Sequence, residues 1–182
     1  MTASFPDGQN QPPARSAVLA LGSNLGDRRD ILQGCVDAIA GIPEVQVMAV
    51  SPVYETVPVG GPPQPDYLNA VILVRTTLSS RSLLDRLHEV EAAFDRVREV
   101  RWGPRTLDID VITVDGEVSA DPELTLPHPR AYERAFVLAP WHDVDPDAVL
   151  PGHGAVGTLL AATDQSGIRR ASGELMVPGG GG

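Results

Sequence analysis

The sequence predicts a single α+β domain built on an antiparallel sheet. Two apolar runs, residues 17–21 and 70–74, have the length of strands and are far too short to span a membrane. Two other stretches, which end near Ala40 and Phe94, carry apolar residues at helical spacing. The chain has 182 residues, of which 42% are hydrophobic and 21% charged, so it is large enough to bury one core.

The predicted elements follow the order β-α-β-β-α-β. Strands are predicted at residues 17–21, 45–54, 68–76 and 106–114, the second of them interrupted by Ser51-Pro52. Helices are predicted from Asp27 to about Ala40 and from Ser79 or Ser80 to about Phe94, because these polar residues are good N-caps. Two helices on one face of such a sheet form the ferredoxin-like arrangement. Residues from 124 onward add a short strand and helices as a C-terminal extension.

The ends of the chain differ in composition from the middle. Residues 1–15 are polar and residues 165–182 are rich in glycine, so we expect two flexible tails around a catalytic domain at 16–164. Residues 55–66 hold four prolines and two glycines, which predicts a long loop of the kind that often covers a site.

Charge narrows the class of partner. The formal net charge of −10 argues against binding to nucleic acid or to an acidic membrane surface, so the expected partners are small molecules. No secretory signal is visible at the N-terminus, which predicts a cytoplasmic protein. The lone Cys35 is expected to be a packing residue. The working expectation for the oligomeric state is a monomer.

All 14 basic residues are arginine, which excludes lysine Schiff-base chemistry and a P-loop lysine. Six of them fall within a 39-residue window of an otherwise acidic chain. Arginine grips phosphate with several donors at once, so this window predicts an anion site. Ordinary pairing with scattered acidic residues is the alternative.

The most informative run is Arg101-Trp-Gly-Pro-Arg-Thr-Leu-Asp-Ile-Asp110. On a strand, residues two apart lie on one face roughly 6.7 Å from each other, so Asp108 and Asp110 face one way. Two Mg²⁺ ions roughly 3.5 to 4 Å apart would offset the repulsion between them. A solvent-facing edge strand is the alternative, and the fixed Gly-Pro turn before the aspartates argues against it.

Four motifs together resemble the 6-hydroxymethyl-7,8-dihydropterin pyrophosphokinase family. They are Leu21-Gly-Ser-Asn-Leu-Gly26, Gln64-Pro-Asp-Tyr-Leu-Asn69, the Arg101 to Asp110 run, and Leu126-Pro-His-Pro129. The resemblance covers residues 17–151. It implies a folate-biosynthesis enzyme that moves the β,γ-diphosphate of ATP, its co-substrate, onto the pterin hydroxymethyl group and releases AMP.

The resemblance also implies roles for individual residues. Asp108 and Asp110 would bind two Mg²⁺ ions, and Arg96 and Arg98 would offset charge on the transferring group. The residues implied for the nucleotide are His88, Glu91, Arg105, His128 and Arg134. The residues implied for the pterin are Thr56, Val57, Val59, Tyr67, Asn69, Trp102 and Phe136, although Trp102 could equally be a lid residue or a packing residue.

Two other functions remain open at this point. Nucleotidyltransferases and cyclases also place paired aspartates on ferredoxin-like sheets, but they would release pyrophosphate. A metabolite-binding regulatory domain of the same fold would bind without turnover, and it gives no reason for the aspartates to face arginines.

Overall fold

The computed structural model describes residues 12–58, 61–94 and 106–179. Within them the strands are β1 (Arg15–Ser23), β2 (Val45–Val50), β3 (Tyr54–Thr56), β4 (Tyr67–Thr76), β5 (Asp108–Val114), β6 (Ser119–Asp121), β7 (Leu124–Leu126), β8 (Val149–Leu150), β9 (Gly154–Ala155) and β10 (Ile168–Arg170). The helices are α1 (Arg28–Ala40), α2 (Ser80–Phe94), α3 (Ala135–Val144) and α4 (Val156–Ala161).

One antiparallel sheet carries the fold. Its strands lie in the order β10-β3-β4-β1-β5, and β2 pairs with β4 on the same side as β3. β6 with β7 and β8 with β9 form two small separate ribbons. An α+β fold with an antiparallel sheet is therefore confirmed.

Both faces of the sheet are covered. The helix-side core lies between the sheet and helices α1 and α2, and it buries Leu19, Leu32, Ile72 and Leu87 completely. The extension-side core lies on the opposite face, where Trp141 of α3 packs with Val71 and Ile112. Each large apolar side chain removed from water contributes about 1.5–3 kcal/mol to folding. Helices α1 and α2, the sheet, and the C-terminal extension thus form three layers.

Both main helices begin with the predicted caps. The Asp27 side chain accepts a hydrogen bond from the Asp30 amide at 3.2 Å, and the Ser79 hydroxyl accepts one from the Ser82 amide at 3.1 Å. Each cap satisfies an amide in the first turn that has no partner within its own helix.

The predicted strand at 45–54 is two strands. Between them the Ser51 hydroxyl accepts a hydrogen bond from the Val71 amide at 2.8 Å, in place of a backbone carbonyl. Pro52 has no amide hydrogen to continue the ladder, so the edge breaks there and resumes at β3.

The expectation of a flexible segment from residue 165 onward is wrong over part of its length. β10 pairs with β3, and Leu175 is buried in the helix-side core. The Met176 amide donates a hydrogen bond to the Gln33 side chain at 2.7 Å. These contacts join residues distant in sequence, which local composition does not reveal.

Within the described residues, no helix combines the length and the apolar character needed to cross a bilayer.

Candidate functional site

Asp108 and Asp110 lie on one face of β5, at the edge of the sheet. They pair with Gly22 and Ala20 of β1, and Ala20 packs against the extension-side core. Cross-strand partners share a face, so both carboxylates lie on that side of the sheet, at its polar end. Both residues are half-buried and line a cavity of about 380 Å³.

Helix α2 forms one wall of this cavity through His88 and Glu91. A Glu91 carboxylate oxygen accepts a hydrogen bond from the Ile109 amide at 3.2 Å. Ile109 lies between the two aspartates and is buried in the helix-side core. Glu91 therefore helps to hold the short segment of edge strand from which both carboxylates project.

His128 also lines this cavity. The His128 amide donates to the Ile112 carbonyl at 2.8 Å, and its Nδ1 accepts from the Arg130 amide at 3.2 Å. Burial lowers the pKa of the His128 imidazole, while the Asp110 carboxylate opposes that shift. An imidazole that accepts at Nδ1 keeps Nε2 as its donor.

Arg134 belongs to the same electrostatic cluster. Burial lowers the pKa of its guanidinium, and Asp110 again opposes the shift. The Arg134 Cζ atom lies 5.5 Å from the centroid of the Phe136 ring. A guanidinium that is desolvated, charged and held on an aromatic face is well suited to bind a phosphate.

A second polar group lies two strands away from the aspartates. Asn69 on β4 is buried, and its amide nitrogen donates to the Thr56 hydroxyl at 2.8 Å. Asn69 pairs with Gly22 of β1, which in turn pairs with Asp108 of β5. Two interstrand spacings place the Asn69 and Asp108 backbones about 10 Å apart on the same face.

Gly22 leaves space for the side chains of Asn69 and Tyr67. A Cβ atom at this position would lie 2.9 Å from Asn69 Oδ1 and 3.6 Å from Tyr67 Cδ1. The glycine therefore allows Asn69 and Tyr67 to lie close over β1.

The turn after β1 holds the end of the long loop. Asn24 Nδ2 donates to Gln64 Oε1 at 2.8 Å and to the Pro65 carbonyl at 3.1 Å. Arg28 donates to the Asp66 carbonyl at 2.7 Å. The sequence analysis assigned no role to Asn24 or Arg28. Asn24 lies in the Leu21–Gly26 motif and Arg28 lies just after it, and both donate hydrogen bonds to the Gln64–Asn69 motif.

The role implied for Val57 is a backbone contact to the edge of the pterin ring, and one of its backbone groups is already hydrogen-bonded within the fold. Its side chain is 52% exposed, and its amide already donates to the Gly167 carbonyl at 3.0 Å. That amide is therefore occupied by the strand partner and is not free to bind a ligand edge. Five predicted site residues lie outside the described residues: Val59, Arg96, Arg98, Trp102 and Arg105.

The donor set at β5 suits magnesium. Within the described part of the chain, no three His, Cys, Asp or Glu side chains converge as a complete metal site. Mg²⁺ is usually held by one or two carboxylates, together with waters and substrate phosphates. Two half-buried carboxylates beside an arginine and a histidine match that pattern.

Comparison with known proteins gives consistent results. A sequence model of the 7,8-dihydro-6-hydroxymethylpterin-pyrophosphokinase (HPPK) family matches residues 18–146. Proteins named 2-amino-4-hydroxy-6-hydroxymethyldihydropteridine pyrophosphokinase are similar over most of their length. The one from Methylorubrum extorquens is 45% identical over 85% of this chain and 97% of its own. The one from Pseudomonas aeruginosa is 42% identical over 85% of this chain and 96% of its own.

Solved structures agree at the level of the fold. The wild-type HPPK-DHPS protein of Plasmodium falciparum with pteroate superimposes with a TM-score of 0.64 and 14% identity, over 82% of this chain. The same protein with SDX-DHP gives a TM-score of 0.67 over 84% of this chain. The chain spans 42% and 45% of those longer chains, respectively.

Proposed function

Because this chain belongs to the 7,8-dihydro-6-hydroxymethylpterin-pyrophosphokinase family, we propose that it transfers the β,γ-diphosphate of ATP to the hydroxymethyl group of 6-hydroxymethyl-7,8-dihydropterin. The pterin hydroxyl oxygen attacks the β-phosphorus and loses its proton. The bond from that phosphorus to the oxygen it shares with the α-phosphorus breaks, and AMP leaves with that oxygen.

The cross-strand row Asn69–Gly22–Asp108 carries this proposal. Its two end strands, whose backbones lie about 10 Å apart, carry a buried amide that can pair with the edge of a pterin ring and a pair of carboxylates. That separation leaves room for a bicyclic ring at one end and a polyphosphate at the other. A flat ring at Asn69 thus points its substituent toward the charged end of the row.

Two Mg²⁺ ions are the proposed cofactor of the charged end, with Asp108 and Asp110 as their protein ligands. When bound, they would neutralise phosphate charge and lower the cost of ionising the pterin hydroxyl. Arg134 and His128 would bind nucleotide phosphates, and Glu91 would keep the aspartates in register through the Ile109 amide. His88, in the wall of the same cavity, is proposed to contact the nucleotide. Arg96, Arg98 and Arg105 are proposed to bind the transferring group and the phosphates.

Asn69 and Thr56 are the proposed ring-edge contacts, and the Asn69–Thr56 hydrogen bond supports them because it fixes the orientation of the amide. Tyr67 and Phe136 are proposed to stack on the pterin faces. The same proposal keeps Val59 and Trp102 as pterin contacts, and it limits Val57 to groups other than its amide hydrogen.

A ferredoxin-like core is the proposed description of the sheet and its two main helices. The strand order supports it, since the first strand lies between the third and the fourth of the β-α-β-β-α-β series. We also propose one catalytic domain at 16–164, to which the C-terminal residues through 176 are joined by β10 and Leu175.

The direct test is product identity. The protein is incubated with ATP, Mg²⁺ and 6-hydroxymethyl-7,8-dihydropterin, and the products are separated by chromatography. AMP and the pterin diphosphate are expected in equal amounts. A 6-methyl pterin without the hydroxyl is the matched control and should yield no AMP. Release of ADP or pyrophosphate would contradict the proposal, and pyrophosphate would favour a nucleotidyltransferase.

A further inference from the structure

We propose that Arg169 and Arg28 act as positioning residues for the pterin through an ion-pair cluster behind the β3–β4 hairpin. The cluster, here called the loop clamp, consists of Arg28, Glu55, Asp66 and Arg169. None of these residues faces the ring in the proposed site. The inference rests on the proposed function and adds to it a role for the C-terminal segment.

The loop clamp joins the two ends of the loop at 57–66. An Arg169 guanidinium nitrogen lies 3.2 Å from Glu55 Oε1 and 3.9 Å from Asp66 Oδ2. Arg28 lies 3.5 Å from the same Glu55 oxygen and donates to the Asp66 carbonyl at 2.7 Å. Each arginine therefore contacts both Glu55, near the end of β3, and Asp66, just before β4.

The position of the clamp relative to the pterin contacts follows from strand geometry. Glu55 directly precedes Thr56, and Asp66 directly precedes Tyr67. Thr56 and Tyr67 are cross-strand partners, and Thr56 accepts the Asn69 hydrogen bond. Consecutive strand residues point to opposite faces, so Glu55 holds the hairpin from the face behind Thr56.

Glu55 is the least exposed of the four side chains in the loop clamp. The Glu55 side chain is 23% exposed and Arg28 is 29% exposed, whereas Arg169 is 68% exposed. A single exposed ion pair contributes little, but Glu55 forms ion pairs with two arginines, Arg28 from α1 and Arg169 from β10. Arg169 also lies directly opposite Glu55 in the β10–β3 ladder, where opposite charges stabilise the pairing.

The clamp is expected to act on pterin binding and not on chemistry. Arg169 lies on β10 and the aspartates lie on β5, at the opposite edge of the sheet and four interstrand spacings, or roughly 19 Å, away. Loosening the hairpin ends would let Thr56 and Tyr67 move, and it would add to the ordering cost of binding the ring. The ATP phosphates would be held at β5 as before.

The test compares Arg169→Gln with Arg81→Gln. Arg81 is a matched control because it also bridges two carboxylates, at 2.9 Å from Glu123 and 3.8 Å from Asp121, but away from the hairpin. Arg169→Gln should raise the KM for pterin about threefold to tenfold while kcat and the KM for ATP stay within about twofold. Arg169→Lys should recover at least half of that loss, since it keeps the charge.

Amide hydrogen exchange gives a second readout that needs no substrate. In the free protein, Arg169→Gln should speed exchange across peptides covering 57–66, and Arg81→Gln should not. The proposal is overturned if Arg169→Gln leaves both the KM for pterin and this exchange unchanged, or if Arg81→Gln raises the KM for pterin equally. Should the wild-type protein produce no AMP, the proposed function fails, and the exchange comparison still decides whether the clamp holds the loop.

Discussion

Gly22 is the residue at which the two halves of the site meet, because it pairs with Asn69 on one side and Asp108 on the other. Its φ is not in the left-handed region, so the backbone itself does not demand glycine. Glycine is required here because of the space available, since a Cβ would lie 2.9 Å from Asn69 Oδ1. A single methyl group at this position should therefore displace the Asn69 amide, which is proposed to bind the pterin.

We expect Gly22→Ala to weaken pterin binding by about tenfold or more, because the displaced Asn69 amide loses hydrogen bonds worth about 1–3 kcal/mol. ATP binding should stay within about twofold, and both affinities can be measured by titration calorimetry. Gly167→Ala is the control, since a Cβ there meets nothing within 4 Å. Equal effects of the two variants would contradict the role of Gly22.

The Asp110 carboxylate interacts electrostatically with both His128 and Arg134. Asp110→Asn keeps the size of the side chain and removes the charge that a metal needs, so turnover should fall by at least about 100-fold. The melting temperature should change little, because the relieved repulsion with Asp108 is offset by the lost attraction to Arg134 and His128. Asp115→Asn, at an exposed turn beyond the same strand, should keep full activity. Near-normal turnover of Asp110→Asn would refute its role as a metal ligand.

Among the elements, β1, α2 and the turn after β5 are tied together by Glu117. Arg15 of β1 donates to Glu117 Oε2 at 2.8 Å, and the Ser80 hydroxyl at the start of α2 donates to the same oxygen. The Ser80 hydrogen bond, with help from Arg15, lowers the pKa of the Glu117 carboxyl below its ordinary value of 4.5.

Glu117→Gln should lower the free energy of unfolding by about 0.5–1 kcal/mol at pH 7. The folded state binds the Glu117 proton less tightly than the unfolded state, so the carboxylate's contribution is complete above pH 4.5 and is lost as pH falls through the folded-state pKa. The difference between variant and wild type should therefore shrink as the pH is lowered below 4.5 in urea titrations. Glu89→Gln, which removes an exposed pair with Arg86 on α2, should cost less than Glu117→Gln at pH 7.

The long elements were predictable from sequence and the short ones were not. Helices α1 and α2 have caps and apolar stripes that are local signals, so their ends fall within a residue of the prediction. Strands of two or three residues, such as β3 and β10, have no period to read. The interruption at Ser51-Pro52 is predicted from the proline, but the hydrogen bond from the Val71 amide across the sheet to the Ser51 hydroxyl is not contained in any local pattern.

For the molecule as a whole, the sequence predicts which motifs form the proposed site but not which contacts hold them together. Asp108 and Asp110 share a face because strand alternation requires it. The grip of Asn24 on Gln64 and Pro65 joins residues about forty positions apart, and only the fold brings them into contact. The C-terminal segment is the extreme case, because its glycine-rich composition predicts flexibility while Leu175 is buried in the helix-side core.

If residues 165–176 belong to the folding unit, Leu175→Ala should lower the free energy of unfolding by about 2–3 kcal/mol, through lost burial and the cavity left behind. Met176→Ala should cost less than about 0.5 kcal/mol, because Met176 is 72% exposed. The hydrogen bond from its backbone amide to the Gln33 side chain does not involve the Met176 side chain and should remain. Chemical denaturation should show one cooperative transition for both variants. An equally small cost for the two would mean that the domain folds without this segment, and β10 would then be an accessory to the sheet.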